Sequence, residues 1–154
     1  MSVTLFSVSR NINSNIVNYD LQLDQNNTPT DVVAYWVMYE TDKSGSVTED
    51  LTMMENKFAY GIDVTKVTSS PARVYFNLKQ MPDMPLTVFY SKKQKEWVAG
   101  ANLSQNGICT ITRVEAQIDF DKVIPMVKGL TVHALNTKNQ QVSEWIPVNR
   151  SMQV

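Results

Sequence analysis

Residues 108–120 read ICTITRVEAQIDF, and this stretch decides the fold class. Alternate residues from Ile108 to Phe120 are mostly apolar, whereas the positions between them include Arg113, Glu115 and Asp119. Successive side chains of a strand point to opposite faces, so a period of two predicts one long strand with an apolar and a polar face. Gly107 comes directly before the stretch, where a turn is expected.

The same alternation recurs on both sides of this strand. It predicts further strands at Val3–Val8, Ile16–Leu23, Val32–Glu40, Ala72–Leu78, Leu86–Ser91, Glu96–Leu103, Leu130–Asn136 and Gln141–Val148. Short polar tips at Lys92–Lys95 and Thr137–Gln140 predict two hairpins. Val32–Glu40 is apolar on both faces, which predicts a central strand covered on both sides.

One segment departs from strand periodicity. Thr48–Tyr60 carries Leu51, Met54 and Phe58 at the spacing of a helix face. Ser46 or Thr48 is a suitable residue to cap the start of a helix, and Gly61 follows its end. We therefore predict one short helix of about three turns over this segment.

The composition agrees with a mainly β chain. The 154 residues include 19 Val, 8 Ile, 13 Thr, 6 Tyr, 5 Phe and 3 Trp, but only 16 Ala and Leu together. β-Branched and aromatic side chains suit strands, whereas Ala and Leu favour helices. We predict an antiparallel β-sandwich or a partly closed β-barrel of eight or nine strands with one short helix. Residues 1–148 are expected to form a single domain, and 149–154 a short C-terminal tail.

Charge excludes several partners. Lys and Arg total 14 and Asp and Glu total 15, so no overall positive field favours nucleic acid or an anionic membrane. No stretch approaches the ~20 apolar residues that cross a bilayer, and the N-terminus lacks the basic region of a secretory signal. We therefore expect a cytoplasmic protein without nucleic-acid or membrane partners. Removal of a signal sequence before residue 1 is the alternative.

Recognisable catalytic motifs are missing from the sequence. The five glycines are scattered rather than gathered into a phosphate loop, and Gly-x-Ser-x-Gly does not occur. A single histidine, His133, cannot supply a multi-imidazole zinc site, so neither a cofactor nor a metal is expected. The lone Cys109 cannot form an internal disulfide. A Cys109–His133 nucleophile is conceivable, but a structural cysteine and a hydrogen-bonded histidine are the favoured interpretation.

Aromatic residues give the strongest indication of binding. Tyr and Trp combine a large apolar surface with a polar group, which suits pocket walls and interfaces. The eight methionines, among them Met81 and Met84, also offer adaptable apolar surface, although core filling explains them more simply. Polar residues alternate along one face of the long strand, either as the lining of a cavity or, by default, as a solvated sheet face. The candidate ligand-binding residues are Trp36, Tyr39, Glu40, Glu55, Tyr60, Arg73, Tyr75, Arg113 and Glu115.

Part of this set carries a resemblance to a known family. Residues 34–40 (AYWVMYE), Leu51-Thr52, Glu55 and Ala59-Tyr60-Gly61 resemble a family of small bacterial and eukaryotic domains of about 140 residues that have no assigned function. In that family a Trp-containing strand precedes a Leu, Glu and Ala-Tyr-Gly segment. The resemblance implies no activity. It implies either a site at these positions or a junction where the helix packs on the sheet.

Three functions follow as hypotheses. The first is a non-enzymatic binding domain for a small apolar or amphipathic molecule or for a protein partner. The second is a hydrolase that uses Glu40, Glu55 or Glu115 as acid or base with an arginine as charge partner, although no residue is assigned a catalytic role. The third is the subunit of a homodimer that pairs through an exposed strand edge.

Overall fold

A computed structural model describes residues 1–119 and 126–148 of the chain. The strands are β1 (Ser2–Arg10), β2 (Ile16–Leu23), β3 (Pro29–Val37), β4 (Thr48–Asp50), β5 (Ile62–Ser69), β6 (Ala72–Leu78), β7 (Leu86–Ser91), β8 (Glu96–Leu103), β9 (Gly107–Asp119), β10 (Met126–Asn136) and β11 (Gln141–Pro147). One short helix, α1 (Met53–Phe58), lies between β4 and β5. The prediction of a mainly β fold with one short helix is confirmed. The predicted tail at 149–154 lies outside the described residues.

The strands form one curled sheet. Nine of them follow the order β4-β3-β2-β1-β9-β8-β7-β6-β5, and the β10–β11 hairpin adds to β9. The sheet curls into a half-barrel, which brings β3 into contact with both β5 and β6. Of the two architectures that the sequence left open, a β-sandwich and a partly closed barrel, the structure has the second.

β9 connects the two halves of the sheet. Along 109–119 one of its edges pairs with β10. Its other edge is therefore shared, with β8 pairing at 107–110 and β1 at 114–116. The β1 pairing is parallel, whereas the other strand pairings of the described residues are antiparallel. The Asn11 side chain extends this contact, since its Oδ1 accepts a 2.8 Å hydrogen bond from Ile118 N.

A β-bulge interrupts the alternation of β9. The register opposite β10 skips Thr112, so Thr112 and Arg113 are both exposed. Ile111 points into the core before the bulge and Val114 does so after it. The predicted uninterrupted alternation is therefore wrong at this point, because the extra residue moves the following side chains to the opposite face.

The core lies inside the curl of the sheet and is rich in aromatic rings. Phe6 of β1 stacks on Tyr19 of β2 with ring centroids 4.9 Å apart, and lies 6.5 Å from Phe76 of β6 on the opposite side. The Tyr19 hydroxyl donates a 2.7 Å hydrogen bond to the backbone carbonyl of Tyr60. These contacts join β1 and β2 to β6 and to the end of the helical segment across the curl of the sheet.

The predicted helix over Thr48–Tyr60 is too long. Residues 48–50 instead form β4, which pairs with residues 35–37 of β3. The helix begins only after Thr52, whose hydroxyl accepts a hydrogen bond from Glu55 N while the Glu55 carboxylate accepts one from Thr52 N. This reciprocal capping box fixes the start of the helix one turn later than the apolar spacing indicates.

β3 also differs from its prediction. It ends at Val37, so Glu40 lies in a turn rather than at the end of a strand. β3 is next to the short edge strand β4 and is not central in the sheet. The sheet edges that the third hypothesis requires are β4, β5 and β11, and dimerisation through one of them stays a prediction.

Candidate functional site

The loop between β6 and β7 folds back to form one wall of a pocket. After Leu78 the chain turns twice, with Met81 N donating to Leu78 O at 2.9 Å and Met84 N donating to Met81 O at 3.2 Å. The Asn77 side chain donates a 3.0 Å hydrogen bond to Pro82 O and holds the loop against the end of β6. The loop therefore has a defined shape although it has no regular secondary structure.

The opposite walls come from the end of β8 and from β11. The pocket is partly open to solvent and has a volume of about 430 Å³, within the range of small-molecule sites. The lining combines methionine, leucine, isoleucine, valine and proline with amide and charged groups. It consists of Lys79, Gln80, Met81, Pro82, Asp83, Met84, Asn102, Leu103, Ser104, Glu144, Ile146, Pro147 and Val148.

Gln80 is the unusual member of this lining. Its side chain is only 6% exposed, and its Nε2 is buried without a hydrogen-bond partner. Buried polar groups are nearly always paired, and an unpaired one costs about 1–3 kcal/mol. Gln80, a residue of the pocket lining, therefore carries an unsatisfied N–H donor.

Glu144 is the second buried polar side chain of the pocket. Its Oε1 accepts hydrogen bonds from Gln105 N at 2.5 Å and from Asn106 Nδ2 at 3.1 Å. These bonds attach the β8–β9 turn to β11, although β8 and β11 are not paired in the sheet. Glu144 therefore holds two walls of the pocket together.

Sequence reasoning missed the polar residues of this pocket. Gln80 lies in a loop, where no periodicity marks its burial. Glu144 lies in β11 between two exposed residues, Ser143 and Trp145. Because a charged residue is normally expected on the solvated face of a strand, the sequence gave no indication that Glu144 points inward. The available signal was the pair Met81 and Met84, two adaptable apolar residues in a segment with Pro82 between them.

Three predicted site residues come together elsewhere, at the junction of α1 with the sheet. The Trp36 indole N–H donates a 3.1 Å hydrogen bond to Glu55 Oε1, and the Trp36 ring meets Tyr60 edge-on with centroids 5.2 Å apart. Arg10, which sequence reasoning did not single out, places its guanidinium 4.4 Å from the centre of the Trp36 ring. We name Arg10, Trp36, Glu55 and Tyr60 the junction cluster.

The contacts of the junction cluster are those of a packing junction. Trp36 and Tyr60 are 6% and 1% exposed, and the Glu55 carboxylate is occupied by the helix cap and by Trp36. Burial raises the pKa of Tyr60, although the positive charge of Arg10 acts against that rise. Of the two alternatives that the resemblance left open, these contacts favour the helix–sheet junction.

Tyr39 and Glu40 lie in the loop between β3 and β4. Glu40 Oε1 accepts hydrogen bonds from Ser14 N at 2.7 Å and Ser14 Oγ at 2.9 Å, and these bonds lower the pKa of Glu40. The Tyr39 ring lies so close to Gly45 that a Cβ there would be 3.0 Å from Tyr39 Cε1. Both residues therefore support loops.

Arg73 and Tyr75 occupy β6 at positions between its buried residues. Arg73 is opposite Thr68 of β5, and Tyr75 lies between Lys66 of β5 and Thr87 of β7. The structure places them on the outer side of the sheet, whereas their neighbours Val74 and Phe76 are fully buried.

Arg113 and Glu115 lie on the outer face of β9, next to His133 of β10. Arg113 and His133 both contact Glu115 Oε1, the latter through Nε2 at 2.9 Å. The pKa of Glu115 is lowered, chiefly because Arg113 donates a hydrogen bond to its carboxylate. On its other side, His133 Nδ1 lies 2.8 Å from the hydroxyl of Ser143 in β11.

The structure does not bring Cys109 together with His133, or the three candidate carboxylates together with one another. Cys109 lies in the core and burial raises the pKa of its thiol, whereas His133 faces outward, so the two do not form a pair. Glu40, Glu55 and Glu115 each have separate partners. Within residues 1–119 and 126–148, no three His, Cys, Asp or Glu side chains gather as metal ligands.

The fold and its pocket define a class of protein, a small curled-sheet β domain with one short helix and a cavity beneath a loop. Residues 6–145 match the family described as Domain of unknown function (DUF4833), and the chain belongs to this family. The resemblance to a family of small domains without assigned function is thereby confirmed. Neither a curated protein nor a solved structure matches the chain. None of the helices among the described residues is long and apolar enough to cross a bilayer.

Proposed function

We propose that this chain is a binding domain whose pocket, under the β6–β7 loop, takes a small amphipathic molecule. The observation that carries the proposal is the unpaired donor of Gln80 in the pocket wall. A ligand with a carbonyl, carboxylate or sulfonate oxygen would pair this donor and remove the cost of leaving it buried.

The rest of the lining suits the remainder of such a molecule. Met81 and Leu103 are buried, and Met84 and Ile146 are partly buried. Together they offer an apolar surface of two flexible methionines and two branched aliphatic side chains. Methionine adapts to ligands of different shape because its side chain is unbranched and polarisable. Lys79 adds a positive charge to the lining and lies 3.7 Å from Asp63. An anionic or carbonyl head group with an apolar body is thus the favoured chemistry.

The proposal predicts binding of anilinonaphthalene sulfonate, which joins an aromatic body to sulfonate oxygens. Its fluorescence should rise on mixing with the folded chain. Met84→Trp should weaken binding by about tenfold or more, because the larger side chain occupies the pocket. Met54→Trp is the matched control, since Met54 is an exposed methionine of α1 that is absent from the lining. Equal binding by both variants would contradict the proposal.

The unpaired donor also predicts a gain in stability. Gln80→Leu should raise the free energy of unfolding by about 1 kcal/mol, because it replaces an unsatisfied buried amide with an apolar group of similar size. The same substitution should weaken the binding of anilinonaphthalene sulfonate. Urea denaturation measures the first effect, and the exposed Gln117→Leu serves as a control that should change stability by less than about 0.5 kcal/mol. Destabilisation by Gln80→Leu would show that the amide is paired.

A further inference from the structure

Three side chains form a continuous hydrogen-bonded line across the outer face of β9, β10 and β11. Ser143 Oγ lies 2.8 Å from His133 Nδ1, and His133 Nε2 lies 2.9 Å from Glu115 Oε1. We name Ser143, His133 and Glu115 the serine relay. It is separate from the pocket, because Ser143 points to the outer face of β11 whereas the pocket residue Glu144 points to the inner face.

The sheet holds the relay in place. His133 is directly opposite Ser143 on β11, and on its other side it is opposite Arg113 on β9. Glu115 lies two residues beyond Arg113 on the same face of β9. Directly opposite side chains of an antiparallel pair are about 4.5–5.5 Å apart at Cβ, which suits the bond between His133 and Ser143. Glu115 is opposite Thr131 and is a diagonal neighbour of His133, at a spacing of about 7–8 Å that long side chains can span. The relay therefore rests on three paired strands rather than on loops.

The partners of the imidazole fix its protonation pattern. An ionised carboxylate only accepts hydrogen bonds, and the Arg113 guanidinium that contacts Glu115 favours the ionised form. His133 Nε2 must therefore carry the hydrogen that it shares with Glu115. In the neutral ring Nδ1 is then the acceptor, and the Ser143 hydroxyl donates to it. This is the arrangement in which a histidine can remove a serine proton.

We propose that Ser143 is a nucleophile for acyl transfer from small activated esters to water. Ser143 Oγ forms a bond to the ester carbonyl carbon while its proton passes to His133 Nδ1. The bond to the leaving alcohol or phenol oxygen breaks, and that oxygen receives the proton from His133. A water molecule then attacks the acyl-serine, gives its proton to His133, and the acid is released as the proton returns to Ser143 Oγ. Glu115 positions the imidazole and stabilises its charged form.

The surroundings of Ser143 indicate a small substrate. A shallow depression of about 410 Å³ is lined by Thr112, Arg113, His133, Ala134, Gln141, Val142 and Ser143. Trp145 is on the same face of β11 two residues on, and it is 49% exposed, which gives an apolar surface for an acyl or aryl group. β11 pairs only with β10 among the described strands, so it is an edge strand. Its outward backbone N–H groups are the oxyanion donors that the proposal requires.

Covalent labelling tests the proposal directly. The full chain is incubated with a fluorophosphonate, which phosphonylates activated serines, and the adduct is located by mass spectrometry. We expect modification of Ser143, about a hundredfold faster than that of Ser69, an exposed strand serine of β5 that has no histidine partner. Hydrolysis of p-nitrophenyl acetate should fall to the uncatalysed rate in Ser143→Ala and be unchanged in Ser69→Ala.

Two further variants separate a nucleophile from a structural serine. His133→Gln should reduce labelling of Ser143 to the rate of Ser69, and Glu115→Gln should reduce it at least about tenfold. In a Ser143→Cys variant the new thiol should react with iodoacetamide faster than the thiol of a Ser69→Cys variant, with the buried Cys109 as an internal reference. Equal reactivity at positions 143 and 69 in both experiments would overturn the proposal. Met54→Trp, on the exposed face of α1, should leave the labelling unchanged. Labelling of Ser143 and dye binding in the pocket are separate measurements, so failure of the pocket and failure of the relay are distinguishable.

Discussion

Replacing Gly61 with alanine is expected to destabilise the fold by about 3 kcal/mol or more. Gly61 is buried directly after α1, and a Cβ at this position would lie 1.8 Å from Asn56 O and 2.6 Å from Asn56 C. Both are backbone atoms of the helix, so no side-chain rotation relieves the overlap. The neighbouring backbone is also held, because Gly61 N donates to Glu55 O at 3.2 Å and Gly61 O accepts from Lys79 N at 3.0 Å.

Urea denaturation followed by circular dichroism measures this loss. Gly107→Asn is the matched control, since Gly107 has φ of 70° but would place its Cβ in open space. Asparagine tolerates this region of backbone conformation better than other side chains, so the control should lose less than about 1 kcal/mol. A Gly61→Ala variant as stable as the control would show that α1 is not closely packed against the start of β5.

Trp36→Ala is expected to cost about 3–5 kcal/mol, the range of large aromatic residues removed from a core. The substitution removes the ring that Arg10 covers and leaves the edge of Tyr60 without its partner. It also takes away a hydrogen-bond donor of Glu55, the residue that caps α1. The loss should therefore exceed that from the cavity alone, and far-ultraviolet dichroism should record weaker helix signal before global unfolding.

Trp36→Phe separates the loss of the aromatic ring from the loss of the indole N–H donor. Phenylalanine keeps an aromatic ring beneath Arg10 but lacks the indole N–H, so the variant should lose about 1–2 kcal/mol. Tyr90→Ala is the control for loss of an aromatic residue, because Tyr90 is 49% exposed although its ring contacts Trp97. If Trp36→Ala cost no more than Tyr90→Ala, the junction cluster would not be a centre of stability.

The sequence predicted strands wherever one face is buried and the other is solvated. β2, β6, β7 and β8 have the predicted bounds, because alternation there directly reflects burial. β5 was not predicted, since residues 63–67 are exposed on both faces and provide no alternation. The bulge at Thr112 was missed although the sequence carries its mark, because Thr112 and Arg113 are two successive polar residues between the buried Ile111 and Val114.

The candidate sites differ in how much of each could be predicted from the sequence. The junction cluster was largely found through its motif, with Arg10 missing because it lies far away in the chain. The pairing of His133 with Ser143 was one residue away from the predicted register, since a hairpin tip at 137–140 would place His133 opposite Glu144, whereas the structure pairs Leu135 with Gln141. To predict the contact of Glu115 with His133, the register between β9 and β10 must be known. To predict the burial of Gln80, the packing of the β6–β7 loop against the rest of the fold must be known. Neither is a property of local pattern.

The parallel contact of β1 with β9 has a consequence for the order of folding during synthesis. Asn11 and Ile118, which extend this contact, are 107 positions apart, so β1 has only β2 as a neighbour until most of the chain has left the ribosome. Contacts between distant segments slow folding, because the chain loses the entropy of closing the loop between them before these contacts stabilise the fold. The hairpins of the first hundred residues can form early, but the hydrogen-bonded sheet becomes continuous from β1 to β8 only once β9 has been made.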